Sequence, residues 1–251
     1  ISDIHANLEA LEATLADIAV QAVDRVVCLG DIVGYNTRPS ECVAVTRRID
    51  ALCVAGNHDL AVCGRITTEN FSNTAARTAA WTRERLTADE LAFLRGLPLK
   101  ANIADRLIAV HGALHPETGC ESVRLDNDER RMLSFKALTA HPSGARICAF
   151  GHTHRAGAYE YRNGRALLRS EPEVDLLDDA YYLINPGTVG EPRASDRRAT
   201  YMVLDLARRT VTLRYVEYDT VVPFVAAREA GLRPRLGFAA LANRLRSLVE
   251  I

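Results

Sequence analysis

The sequence predicts an α/β protein, and three observations carry the prediction. Short apolar runs rich in Val, Leu, Ile and Cys alternate with segments whose apolar residues recur at helical spacing, a β-α-β-α-β pattern. Five polar clusters sit at the ends of apolar runs: Asp3-Ile4-His5, Gly30-Asp31, Gly56-Asn57-His58-Asp59, His111-Gly112 and Gly151-His152-Thr153-His154. The 251 residues, 48% hydrophobic and 25% charged, are enough for a large α/β domain with a substantial core. Residues 1–251 read as a single domain, because no repeat, low-complexity tract or linker divides them.

The elements follow in order. Asp3 comes directly after the opening Ile1-Ser2, too early for a strand of ordinary length, so most of a first strand is expected upstream of the sequence. Asn7 stands as an N-cap before Leu8, Leu11, Leu15 and Ile18, whose spacing predicts an amphipathic helix to about Val20. Arg25 to Leu29 reads as a buried strand, Ser40 to Ile49 as a helix, and Ala51 to Ala55 as the next strand. A helix is expected from about Asn73 to Leu86. Thr87-Ala88-Asp89-Glu90 then has the spacing of a capping box, which starts a short helix that runs to Arg95 and stops before Pro98.

Leu107 to Val110 and Ile147 to Phe150 repeat the arrangement of strand followed by polar cluster, with a helical segment between them over Asp126 to Thr139. Ala158 to Tyr161 and Ala166 to Leu168 flank Asn163-Gly164, the strongest short hairpin signal in the chain. Strands are expected over Tyr181 to Ile184, Tyr201 to Leu206 and Val211 to Val216, and an amphipathic helix over Phe238 to Val249.

Composition removes several classes of function. No apolar run approaches the ~20 residues that span a bilayer, and no basic region followed by an apolar stretch opens the sequence, so a cytoplasmic location without a membrane partner is the default expectation. A net charge of -1 argues against nucleic acid as a partner. Among the 31 basic residues only Lys100 and Lys136 are lysine, a bias that fits GC-rich coding better than phosphate recognition. The six cysteines form no C-x-x-C pair. Cys28, Cys53, Cys148 and Cys42 read as buried free thiols, and Cys63 and Cys120 as exposed and oxidisable.

The clusters carry the chemistry. Asp, Asn and His are the oxygen and imidazole ligands that borderline divalent cations accept, and the absence of Cys among them disfavours a structural zinc site. In a sheet of parallel strands the carboxyl-end loops share one rim, so residues distant in sequence are brought to one point. Two cations bound there would lie about 3.5 to 4 Å apart, bridged by a carboxylate and by a nucleophilic hydroxide, and would hold two phosphoryl oxygens during in-line displacement. Phosphate ester cleavage is the natural reaction.

In their order, D-x-H, G-D-x-x-G, G-N-H-D, H-G and G-H-T-H, the motifs from Asp3 to His154 resemble the calcineurin-like metallophosphoesterase family. The segment from Asn185 to Arg193 is similar to one in its small bacterial phosphodiesterases. The resemblance implies a four-layer αββα sandwich, two mixed β-sheets flanked by helices. It further implies that Asp3, His5, Asp31 and His154 hold one metal and that Asp31, Asn57, His111 and His152 hold the other. Asp31 would bridge, and His58 would protonate the leaving group. The metals would be manganese, iron, zinc, nickel or cobalt, with manganese favoured. The substrate would be a small phosphodiester or nucleotide, with phosphomonoesterase, nuclease and a non-catalytic scaffold as alternatives. Protein phosphatases similar to this family carry G-D-Y-V-D-R-G and R-G-N-H-E, and their phosphate-gripping arginines have no counterpart here, which argues against a protein substrate.

Several residues have two readings. Asp59 would orient His58 or cap a helix, and Asn7 would face the substrate or only cap its own helix. Arg193 would meet a substrate phosphate with its planar fork or form a surface salt bridge. His115 and His141, each next to Pro, read as solvated. Gly34, Gly112 and Gly187 read as turn glycines.

Overall fold

The computed structural model describes residues 1–233, so the helix expected over Phe238 to Val249 lies outside the described residues. The chain begins with α1 (Leu8–Ala19), β1 (Val27–Cys28), α2 (Pro39–Arg48), β2 (Leu52–Cys53), α3 (Asn57–Val62), α4 (Asn73–Arg83) and α5 (Ala88–Gly96). It continues with β3 (Lys100–Ile103), β4 (Leu107–Val110), α6 (Asp128–Thr139), β5 (Ile147–Ala149), β6 (Gly157–Arg162) and β7 (Arg165–Arg169). β8 (Glu173–Asp175), β9 (Tyr181–Asn185), β10 (Ala199–Asp205), β11 (Thr210–Val216) and α7 (Val221–Glu229) complete it.

The expected helix starts form for the expected reason. Asn7 accepts a hydrogen bond from the Ala10 N–H at 3.1 Å, and Thr87 and Glu90 close a reciprocal capping box at the start of α5. Asn163 and Gly164 both adopt positive φ, the turn that matches the twist of the β6–β7 hairpin.

Six strands form one mixed sheet in the order β3-β4-β5-β9-β6-β7, parallel across β4, β5 and β9 and antiparallel elsewhere. The second layer is assembled around the first residues of the chain. On one side of them, the Ile1 amine donates to the Val27 carbonyl (2.9 Å), Leu29 N–H to that of Ile1 (2.9 Å) and Asp3 N–H to that of Gly30 (3.0 Å). On the other side, Val189 and Gly190 donate to the Ser2 and Asp3 carbonyls, and Thr200 to that of Thr188, which carries the pairing on to β10, β11 and β8.

Alternation along the strands sorts the cores. Leu107, Ala109, Ile147 and Ala149 pack between the two sheets with Leu29, Val54, Tyr182 and Val211. Their neighbours Ile108, Val110, Cys148 and Phe150 point the other way and pack on Phe135 and Leu138 of α6. On the far face of the other layer, residues from α1 through α5 pack over Ile4, Cys28 and Cys53. Helices, sheet, sheet and helix stack as the αββα arrangement.

The structure adjusts some expectations. β1 and β2 are each two residues long, shorter than the apolar runs that contain them, because Gly30 and Asp31 turn to φ of 92° and 54° and end the β1 ladder. α3, α7, β3 and β8 were not anticipated. Cys63 and Cys120 are each 1% exposed, so the expectation that they are oxidisable at the surface is corrected: α3 buries Cys63, and the loop under Gly112 buries Cys120. Gly112 has no left-handed backbone. It is small because a Cβ there would lie 2.2 Å from the Cys120 carbonyl oxygen. Among the described residues, no helix is long and apolar enough to cross a membrane.

Candidate metal centre

Each of the five clusters leaves its strand on the same rim of the sandwich. Asp3 and His5 follow the first extended residues, and Asp31 follows β1. Asn57 and His58 open α3 after β2, His111 follows β4, and His152 and His154 follow β5. These are carboxyl ends of parallel strands, where loops meet. Three groups of ligand atoms lie within 4.8 Å of one another: Asp3, His5 and His154; Asp31, His111 and His152; and His5, Asp31 and His58.

The two carboxylates divide their oxygens in the same way. Asp31 Oδ1 accepts the His58 backbone N–H at 2.8 Å, which leaves Oδ2 at 3.6 Å from His5 Nε2 and 3.3 Å from His111 Nε2. Asp31 therefore stands between the two histidine groups. Asp3 Oδ2 accepts from Ser2 Oγ (2.6 Å) and from the His152 N–H (3.1 Å). Its Oδ1 is buried with no hydrogen-bond partner, 3.2 Å from His154 Nε2 and 3.7 Å from His5 Nε2. An unpaired buried carboxylate oxygen is costly and calls for a bound cation.

The histidines are aimed by their other nitrogen. His5 Nδ1 meets the Val33 carbonyl at 3.2 Å, His111 Nδ1 that of Leu29 at 2.7 Å, and His154 Nδ1 that of Glu191 at 2.7 Å. A carbonyl only accepts, so each Nδ1 carries the proton, and in the neutral ring Nε2 turns its lone pair inward. His5 Nε2 and His154 Nε2 are 3.2 Å apart, a close approach that suits two ligands of one ion. Asn57 adds its Oδ1 at 3.1 Å from His111 Nε2. Oxygen and imidazole donors, backbone bonds that fix the tautomer and an orphaned carboxylate oxygen together fit divalent cations.

Electrostatics agree with this. Burial pushes the Asp3 carboxyl up, but the adjacent His154 and His5 hold it well below the carboxylate range. Burial disfavours charge on His111, yet the Asp31 carboxylate outweighs it and raises the ring to about 10. A proton on His111 thus occupies the place that a cation would contest. Burial, reinforced by the His111 charge, lowers His152 to about 3.

His58 is 4% exposed, its ring edge-on to His5 (4.9 Å) and beside Tyr35 (4.6 Å) and Phe71 (5.1 Å), and its Nδ1 has no hydrogen-bond partner. Burial lowers it to about 3, so the ring is neutral in this state. Asp59 caps and does not orient His58: its oxygens accept the Gly56 N–H (3.0 Å) and the Val33 N–H (3.2 Å). Burial and the Asp31 charge raise its carboxyl to about 7.

Asn7 takes up its capping role. It is 2% exposed, its amide donates to the Gly190 carbonyl (2.9 Å), and its oxygen caps α1. Arg193 is exposed and has no ion pair among the described residues; its charge acts on Tyr35 and Arg124. His115 is exposed, whereas His141 is half-buried and bonds Ser143 Oγ at 2.7 Å. Sequence reasoning missed Tyr35, Phe71, Arg124 and Asn36. Asn36 donates to the His5 carbonyl at 2.9 Å and ends the Gly30 to Asn36 segment, where its position directly after a turn was the available signal.

Comparison with known proteins places the chain. A profile of the calcineurin-like phosphoesterase superfamily domain matches residues 1–209. An uncharacterized protein of Methanocaldococcus jannaschii is 35% identical over 223 residues, 87% of this chain and 86% of that one. The crystal structure of a metallophosphoesterase from Sphaerobacter thermophilus is 36% identical, covers 93% of both chains and has a TM-score of 0.76. A hypothetical protein from Pyrococcus horikoshii, 18% identical with a TM-score of 0.71 over 93% of this chain and 92% of its own, shares the fold. The chain belongs to the calcineurin-like phosphoesterase superfamily.

Proposed function

We propose that this protein is a dinuclear metal-dependent phosphodiesterase that acts on a small phosphodiester or nucleotide. The observation that carries the reading is the position of Asp31 Oδ2, 3.6 Å from His5 Nε2 and 3.3 Å from His111 Nε2, facing one histidine of each group while Oδ1 is tied to the backbone. Asp3, His5, His154 and Asp31 would hold one ion, and Asp31, Asn57, His111 and His152 the other. When bound, two such ions supply an activated water and neutralise the phosphoryl oxygens, with manganese the favoured metal.

The protein's own groups do the rest. Backbone carbonyls keep the Nε2 lone pairs inward, and Asp3 Oδ1 has no other partner to release. His58, packed against Tyr35 and Phe71, is neutral before substrate binds; the negative charge of a bound phosphoester would raise its ring into the protonated form, from which it would deliver a proton to the leaving oxygen. Arg193 and Arg124 lie outside the ligand set, where they would meet the part of the anion that does not react.

Purified protein is assayed with manganese, nickel, iron and zinc on a panel of cyclic nucleotides, linear diesters such as bis-(p-nitrophenyl) phosphate, and phosphomonoesters, alongside elemental analysis. Metal-dependent diester cleavage lost in Asp31→Asn is expected. His58→Ala should retain metal and lose roughly 10²- to 10⁴-fold in turnover. No turnover with any of the four metals rejects the enzyme reading, and faster cleavage of monoesters rejects the diester preference.

A further inference from the structure

The segment that carries the His154 anchor is fastened by residues beyond the stretch that matches the family. Gly190 and Glu191 lie between the first residues of the chain and the turn after α7. Glu191 gives its carbonyl to His154 Nδ1 at 2.7 Å. Its carboxylate pairs with the Arg233 guanidinium, and the two side chains are 17% and 28% exposed. The same Arg233 nitrogen donates to Asn36 Oδ1 at 3.3 Å, and Asn36 Nδ2 donates to the His5 carbonyl at 2.9 Å.

Arg233 is itself held. Its N–H and that of Leu232 bond the Ala227 carbonyl of α7, and the Leu232 carbonyl accepts from Arg77 of α4 at 3.0 Å. Asn7, Asn36, Glu191, Tyr218 and Arg233 help to line a half-open pocket of about 40 Å³. That is room for a water and too little for a substrate, so these groups serve one another and do not form a second binding site.

We propose that Arg233 is a positioning residue for the metal centre: by bridging Glu191 and Asn36 it fixes the loop that aims His154 and the turn that carries His5. Both histidines belong to the Asp3 group, so the bridge acts on one of the two cation sites. The His111 group, anchored on Leu29, lies outside its reach. The inference rests on the metal centre proposed above.

The test is isothermal titration of chelator-stripped, full-length protein with Mn²⁺, together with the melting temperature of the metal-free state. Wild type should bind two ions. Arg233→Gln should weaken one of them about tenfold, the scale of losing a group that orients a ligand, and leave the other unchanged. Glu191→Gln, which keeps the backbone carbonyl but takes the charge out of the same bridge, should weaken the same site, and the double variant should lose no more than Arg233→Gln alone. In a His154→Asn background, Arg233→Gln should have no further effect on the remaining site. Unchanged affinity in Arg233→Gln and Glu191→Gln overturns the proposal. Equal weakening of both sites with a lowered metal-free melting temperature also overturns it, since that is general destabilisation. Absence of Mn²⁺ binding in wild type removes the metal centre and this inference with it, whereas wild-type binding with unaffected variants removes only the inference.

Discussion

Gly56→Ala perturbs the site without replacing any candidate ligand. Gly56 has φ −91° and ψ 169°, which alanine adopts freely, so any effect comes from space and not from backbone strain. A Cβ there would lie 2.1 Å from Asp31 Oδ1 and 2.3 Å from the Asp31 backbone nitrogen, against 3.4 Å for an ordinary contact, so Asp31 and the start of α3 must part by about 1.3 Å. The hydrogen bond from His58 N–H to Asp31 Oδ1 spans that gap and is lost first. Overpacking of this kind costs about 1 to 3 kcal/mol, a fall in melting temperature of roughly 2 to 10 °C at this chain length.

Function should suffer more than stability. A displacement of about 1 Å in a positioned group costs on the order of 10²-fold in rate, and Asp31 is the carboxylate that the two proposed ion sites would share. The assay is metal-dependent hydrolysis of bis-(p-nitrophenyl) phosphate with Mn²⁺ titration. Gly96→Ala, at the end of α5 with nothing within 4 Å of the new Cβ, serves as control and should be neutral or stabilising by up to about 1 kcal/mol. Wild-type Mn²⁺ affinity and turnover in Gly56→Ala would refute both the close contact and the bridging role of Asp31.

Two further outcomes follow from groups away from the site. Hydrogen bonds from Arg214 and Tyr201 hold Asp17 below the ordinary carboxylate range, so its contribution is present above the unfolded value of about 3.9 and is lost as pH falls through the lower folded value. With the Asp17 side chain 25% exposed, Asp17→Asn should cost no more than about 1 kcal/mol at neutral pH and flatten the acid limb below about pH 4 in urea unfolding; parallel acid limbs for the two proteins would contradict this. All six cysteines are free and buried, so Ellman's reagent should find no fast-reacting thiol in the native protein, and prompt labelling of even one would contradict the burial described here.

The fold was legible where periodicity was long or a cap was explicit. α1, α5 and the β6–β7 hairpin announce themselves through Asn7, Thr87 and Asn163-Gly164. α3 was not, because six residues are too few for a helical period and all of them are buried; its one signal was Gly56 followed three residues later by Asp59. β3 lies at the edge of its sheet with no fully buried position, and β8 is three residues long, so neither has an apolar pattern to read. The metal-ligand candidates were legible because their types and order are informative, while Asn7 was ambiguous because capping and substrate contact make the same demand on a side chain. The bridge that joins Asn36, Glu191 and Arg233 could not be found from sequence, since it is a contact between residues as much as 197 positions apart.

The backbone explains why the site depends on so many remote anchors. Of the non-glycine residues with positive φ among those described, Asp3, His5, Ala6, Asp31, Tyr35, His152 and His154 all belong to the loops of this rim. Each left-handed residue costs about 1 to 2 kcal/mol, and such conformations persist only where the surroundings over-determine them. Here they are over-determined by hydrogen bonds: Gly30, Val33 and Glu191, outside the ligand set, hold Asp3, His5 and His154, and Asp3 in turn holds His152. Strain of this kind turns the ligands inward against the local preference of the chain. Loosening an anchor therefore lets the backbone relax toward ordinary φ and carries the ligand out of the cluster, which is why groups such as Arg233 and Asp59, which donate nothing to the centre, set its geometry.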